Sequence, residues 1–341
     1  MSSFRPRRWL SGGHRQTLLG YWSRRRLRWT LPAEDLVVEA GEGVRLLVRA
    51  TWQPGSAERP TIVLLHGLGG CDRSSYGIAT GELAWQAGWN VARMNMRGAG
   101  DGHAHCARLY NAGLDADLLA VAEALARRTP HLALTGFSLG ANLVLLAMGR
   151  SSARLPQAVF AGAAVSPPLD LAACADALGH RGNRLYQRHY VGGLRAAYSE
   201  RQRILPDVYE PGRERLMRTV REFDHHITAR YGGFADADDY YARSSAGPWL
   251  TRIDRPTLIL AAEDDPFIPA DAVARWPLPE TGMVRREMTP TGGHVGFVAP
   301  TRAAGRFWAA ERVMAFLQDA WEGVRATGRA AARLDGADPA A

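Results

Sequence analysis

Short apolar runs punctuate this chain, and the spacing between them predicts its elements. Leu36–Ala40 and Arg45–Trp52 predict an initial antiparallel hairpin, and further strands are expected at Thr61–Leu65, Asn90–Asn95, Leu132–Thr135, Ala158–Val165, Thr257–Ala262 and Met283–Met288. Helical patterns alternate with the later strands. In Asp115–Arg128, for example, Leu118, Leu119, Val121, Ala122 and Leu125 share one stripe of a helix. That alternation predicts an α/β fold: a mostly parallel sheet with helices on both faces and ligand contacts at the C-terminal edges of the strands.

The rhythm stops between about Asp170 and Trp249, where polar, aromatic-rich, helical sequence takes over until Ile253 leads back to the sheet. Such an insertion is expected to act as a lid over a pocket. Tyr186, Tyr190, Tyr240 and Tyr241 are its candidate pocket walls, or else core packing. Three parts are therefore expected: an N-terminal arm over 1–30, one domain over 31–320 with the lid at about 170–249, and a flexible tail over 321–341 that lacks strong periodicity.

Composition narrows the class without choosing a function. With 46% hydrophobic residues and no apolar run near the roughly 18 residues of a membrane span, the chain reads as a globular protein without a transmembrane segment. Arg5, Arg7 and Arg8 are followed by no apolar h-region, so a secretory signal is not expected and the expected location is cytoplasmic. Cys71, Cys106 and Cys174 form neither a disulfide framework nor a zinc pattern, and His225-His226 beside Asp224 lacks a second ligand pair at helical spacing. No metal is expected.

The formal charge is +8, and every basic side chain among the 42 is arginine. Arg24-Arg25-Arg26 and Arg28, with Trp22, Trp29 and Trp52 nearby in sequence, suit peripheral contact with an acidic membrane surface or anionic acyl substrates. The preferred reading is a solvated charge cluster beside buried tryptophans. No nucleic-acid-binding motif is present, and no oligomeric state can be read.

The candidate chemistry begins at Gly136-Phe137-Ser138-Leu139-Gly140, between an apolar strand and the helix-favouring Ala141–Met148. A serine at such a turn projects its hydroxyl above the sheet edge, and the flanking glycines spare the tight backbone a Cβ clash. Serine alone is a weak nucleophile near neutral pH, so it needs a base and an acid to orient that base. The run Thr257–Ala262 ends in Glu263-Asp264-Asp265-Pro266, where Asp264 and Asp265 compete and Asp265 is favoured. Only His294, of ten histidines, lies beyond them. Oxyanion donors are expected from the backbone N–H groups of Leu139 and of Leu68 in His66-Gly67-Leu68-Gly69-Gly70. That loop lacks the lysine of a P-loop, and Gly98-Ala99-Gly100-Asp101-Gly102 does not complete a dinucleotide fingerprint, so no cofactor is expected.

From about Trp9 to about Phe316 the chain resembles the YheT-type α/β-hydrolases, relatives of the eukaryotic α/β-hydrolase-domain lipid esterases. The matching pieces are Gly13-His14-Arg15-Gln16-Thr17-Leu18, His66-Gly67-Leu68-Gly69-Gly70, Asn95-Met96-Arg97-Gly98 and Leu109-Tyr110-Asn111-Ala112-Gly113. They continue with Gly136–Asn142, Asp239-Tyr240-Tyr241, Asp264-Asp265-Pro266-Phe267 and Gly292-Gly293-His294-Val295-Gly296-Phe297. The resemblance implies Ser138 as nucleophile, His294 as base and Asp265 as third member of a triad. Arg15 departs from the leucine common in relatives, and the role of that N-terminal segment stays open.

Taken together, the expected function is a serine esterase that cleaves carboxylic esters of small-molecule or lipid substrates through an acyl-enzyme. A lipid acyl hydrolase or acyltransferase is the alternative, and an idle binding module of the same fold is the reading of a different class.

Overall fold

A computed structural model describes residues 4–6, 10–299 and 307–334. A first helix, α1 (Gly13–Arg24), precedes the hairpin β1 (Glu34–Glu39) and β2 (Arg45–Thr51). Strands then alternate with helices: β3 (Thr61–Leu65), α2 (Ser75–Gln86), β4 (Asn90–Met94), α3 (Asp115–Ala126), β5 (Leu132–Phe137), α4 (Leu139–Gly149) and β6 (Val159–Val165). Five helices interrupt the alternation: α5 (Leu171–Gly179), α6 (Arg184–Ile204), α7 (Val220–Phe223), α8 (Arg230–Gly232) and α9 (Ala237–Ser244). A π-helical turn, Asp224–Ala229, joins α7 to α8. The sheet resumes with β7 (Thr257–Ala262), α10 (Ala270–Ala274) and β8 (Val284–Thr289), and α11 (Trp308–Leu334) follows.

The eight strands lie in the order β1-β2-β4-β3-β5-β6-β7-β8. β2 pairs antiparallel with β1 and β4, and all other neighbours are parallel. The central strands read as unbroken apolar runs because both of their faces are covered. Along β3, Ile62 and Leu64 enter one core while Val63 and Leu65 enter the other, and along β7 Leu258 and Leu260 oppose Ile259 and Ala261. Helices α3 and α4 contribute to the first core with Val63, and α2 and α11 to the second with Ile62. The five stripe residues of α3 are all buried. Burial of each leucine or valine among them contributes about 1.5–3 kcal/mol relative to exposure.

Two expectations change. The flexible tail expected from residue 321 is helical through Leu334, while residues 335–341 lie outside the described residues. Trp321 anchors this stretch by packing its ring 5.6 Å from Phe160 and 4.6 Å from His131, and alanine and arginine are strong helix formers. Nor are the N-terminal tryptophans buried: Trp22 is exposed, whereas Trp29 and Trp52 are half-buried. The buried member of that cluster is Arg24. Among the described residues no helix is long and apolar enough to cross a membrane.

Candidate active site

Strand β5 ends at Phe137 and α4 begins at Leu139, so one residue, Ser138, turns the chain. Its φ of 53° and ψ of −121° lie where a non-glycine residue is strained. Hydrogen bonds hold it there: its N–H donates to the Val165 carbonyl at 2.9 Å, and its own carbonyl accepts the Ala141 N–H at 2.9 Å. A methyl group on Gly136 would stand 2.2 Å from the Gly140 carbonyl oxygen, so the turn closes only on glycine.

The loop after β8 brings His294 to this serine. Its Nε2 is 2.9 Å from Ser138 Oγ and its Nδ1 is 2.9 Å from Asp265 Oδ2. Asp265, at the end of β7, is almost wholly buried, and its second oxygen accepts the Phe267 and Ile268 N–H groups at 2.8 and 3.1 Å. With Nδ1–H donated to that fixed carboxylate, Nε2 presents its lone pair to the serine hydroxyl. Asp264 serves the loop instead. It accepts the Thr291 hydroxyl at 2.6 Å and the Gly292 and Gly293 N–H groups at 2.8 Å each.

The histidine loop is itself strained, because Val295 (φ 51°) and Phe297 (φ 42°) occupy the left-handed region without being glycine. Helix α1 holds it in place. The Thr17 hydroxyl accepts the His294 N–H at 2.9 Å, and the Gln16 amide accepts the Val298 N–H at 2.7 Å. The Arg24 guanidinium donates to the Val295 and Gly296 carbonyls at 2.9 and 3.0 Å and lies 4.4 Å over the Phe307 ring, its pKa pulled down to about 9 by burial. α1 also touches the end of β7, where a methyl on Gly13 would sit 1.7 Å from the Asp264 carbonyl oxygen. The Gly-His-Arg-Gln-Thr segment was the one signal for these contacts, and its partners lie more than 270 residues away.

Leu68 sits in a tight turn closed by the Gly70 N–H on the Gly67 carbonyl at 3.0 Å. Gly67 is so near the serine that a methyl on it would approach Ser138 Cβ to 3.0 Å. The Gly67 and Gly69 N–H groups donate to the Tyr76 and Tyr110 hydroxyls at 2.8 and 2.7 Å. The Leu68 N–H meets no acceptor among the described residues. Leu139 is the first residue of α4, so its N–H has no partner within the helix. His66 ties this turn to the end of β4: its Nδ1 donates to the Gly67 carbonyl at 2.8 Å, and its Nε2 accepts the Met96 N–H at 3.1 Å. Burial pushes its pKa down to about 4, so the ring stays neutral.

Above Ser138 lies a cavity of about 850 Å³, within the range of small-molecule sites. Leu68, Leu139, Ser138 and His294 border it from the sheet side, and the inserted helices supply Cys174, Tyr190, Val220, Phe223, Tyr240 and Tyr241. Tyr186 is absent from the wall; it stacks on His14 and packs edge-on against Phe267. Sequence reasoning missed Tyr110 and Asp224, which also line the cavity. The Asp224 carboxylate accepts the Thr228 and Tyr241 hydroxyls at 2.7 and 2.8 Å, and burial raises its pKa to about 6.

Residues 60–299 match the family model described as the alpha/beta hydrolase fold. The chain is 34% identical to the candidate esterase YheT of Escherichia coli strain K12, over 92% of each chain. It is 30% identical to a monoacylglycerol lipase of Saccharomyces cerevisiae over 76% of this chain, and 29% identical to the phospholipase ABHD3 of Mus musculus over 71%. It spans 59% of each of those two longer proteins. Among solved structures, the Pyrococcus furiosus esterase Pf2001 superposes with a TM-score of 0.55 at 15% identity, covering 86% of this chain and 94% of that one. The family match, the YheT likeness and the mostly parallel sheet agree, and the chain belongs to the α/β-hydrolase fold family, as an enzyme of the hydrolase class.

Proposed function

We propose that this enzyme cleaves carboxylic esters through an acyl-enzyme formed on Ser138. His294 Nε2 takes the hydroxyl proton as Ser138 Oγ attacks the ester carbonyl carbon, and the amides of Leu68 and Leu139 receive the oxyanion. Asp265 holds the imidazole and faces the positive charge it gains. Collapse of the tetrahedral intermediate breaks the bond to the alkoxy oxygen, and His294 returns the proton to the departing alcohol. Water, deprotonated by the same ring, then attacks the acyl-serine and releases the carboxylic acid, restoring the Ser138 hydroxyl.

The observation that carries this reading is the unbroken chain Ser138–His294–Asp265, with both hydrogen bonds at 2.9 Å, beneath a cavity with largely apolar walls. Those walls favour an ester with a sizeable apolar acyl chain. Relatives named as a phospholipase and a monoacylglycerol lipase accord with a lipid acyl ester.

The test is fluorophosphonate labelling of the purified chain beside Ser138→Ala and His294→Ala, with mass mapping of the adduct. Labelling confined to Ser138 and lost in both variants is the expected result. A folded wild type that labels with no probe length would overturn the proposal. An ester panel of rising acyl length then tests the preference for long chains.

A further inference from the structure

Helix α1 turns one face to the histidine loop and the other to solvent. Its inward side buries Gln16, Gly20 and Arg24. Leu18, Tyr21 and Trp22, on the outward side, are 56%, 70% and 58% exposed. Nine large apolar side chains are exposed among the described residues, and three of them fall on this 12-residue helix. Positions 15, 18, 22 and 25 follow the helical repeat, so Arg15, Leu18, Trp22 and Arg25 share one face. Because the inward side is pinned by hydrogen bonds, a loosely attached helix does not explain that exposure.

The charge along this segment of the chain has one sign. Residues 1–33 hold eight arginines and no carboxylate. Arg15, Arg25, Arg26 and Arg28 are exposed, and none is paired with a carboxylate among the described residues. The Arg25 guanidinium lies 4.8 Å over the Trp22 ring, which leaves a cation and an amphipathic aromatic together at the surface. Leucine and tryptophan flanked by unpaired arginines fit a layer with apolar chains below anionic headgroups.

The face also lies near the cavity. His14, one turn before Leu18, stacks on Tyr186 at 5.7 Å; Tyr186 meets Phe267, and Phe267 meets His294, each at 4.7 Å. Leu185, beside Tyr186 in sequence, is 80% exposed, and Arg188, one turn further along α6, lines the cavity. We propose that the outward face of α1 docks this protein on an anionic lipid surface, with Leu18 and Trp22 entering the headgroup region and the neighbouring arginines supplying the attraction.

The test is co-sedimentation of the full chain carrying Ser138→Ala, so that no vesicle lipid is consumed, with phosphatidylcholine vesicles containing or lacking phosphatidylglycerol. The readout is bound protein rather than turnover, so the inference can fail while the esterase reading stands, and the reverse. Expected are at least tenfold tighter binding to the anionic vesicles, weakening as salt rises, and at least a tenfold loss on adding Leu18→Ser and Trp22→Ser. Both substituted residues are exposed, so the melting temperature should stay near that of the parent. No binding by the parent chain, or equal binding by the doubly substituted chain, would overturn the proposal. So would a dimer in analytical ultracentrifugation that the two substitutions dissociate while vesicle binding is unaffected, since the face would then belong to a second copy.

Discussion

The Thr17 hydroxyl accepts the backbone N–H of His294 at 2.9 Å and donates to the Gly13 carbonyl at 2.8 Å. One side chain of α1 therefore fixes the backbone from which the proposed base projects. Thr17→Val keeps the shape and removes the acceptor, leaving a part-buried amide unpaired. The expected outcome is a roughly tenfold lower kcat with KM within about twofold, and recovery in Thr17→Ser. Steady-state kinetics on a short-chain ester checks it. An equal rise in KM would instead assign Thr17 to substrate binding.

Asp264 and Asp265 are adjacent and hold different partners, so their amide variants should part company. Asp265→Asn should lower kcat by about 10³–10⁴-fold, since an amide no longer selects the imidazole tautomer that a carboxylate does. Asp264→Asn weakens the brace on the histidine loop, and should lower the melting temperature by several degrees while costing far less in kcat. Thermal melts alongside kinetics separate the two.

At the serine turn, Gly136→Ala puts a methyl into the space of the Gly140 carbonyl. With backbone on both sides, neither partner can yield without opening the turn. A loss of about 3 kcal/mol or more in unfolding free energy is expected, together with loss of fluorophosphonate labelling. Urea denaturation measures the first.

Asp224 makes stability depend on pH. Its folded pKa of about 6 lies above the unfolded value, so the folded state binds more protons across that interval and stability falls as pH rises through it. Asn does not titrate. The unfolding free energy of Asp224→Asn minus that of wild type should grow by about 2 kcal/mol from pH 4 to pH 7 and then level off. His66 acts with the opposite sign but is common to both chains and cancels. Urea midpoints across that range provide the check, and a flat difference would place Asp224 in contact with water.

The sheet was legible because its central strands are covered on both faces, which writes each as a continuous apolar run: all eight strands lie within two residues of their expected ends, β5 gaining Gly136 and Phe137. The serine turn, the histidine and the carboxylate were legible because chain order and strand ends restrict them. The contacts of α1 were not, since Thr17 and His294 are 277 residues apart and neither residue type is unusual in a helix or a loop. Residues 321–334 misled because their hold on the sheet rests on Trp321 more than on a repeating stripe. Asp224 was read beside His225-His226 as a weak metal motif, whereas the π-helical turn directs its carboxylate to Thr228 and Tyr241.

The bond between Gln16 and Val298 also has a consequence for synthesis. Its two ends are 282 residues apart, and at about 5–20 residues per second α1 leaves the ribosome on the order of 15–60 s before the segment it holds. Strands β1 to β6 and the serine turn are made early in that interval, while Asp265 and His294 come only near its end. A nascent chain with a half-formed sheet thus carries Ser138 without its proposed base, and completion of the histidine loop, captured by a helix made first, is the event that brings His294 to it.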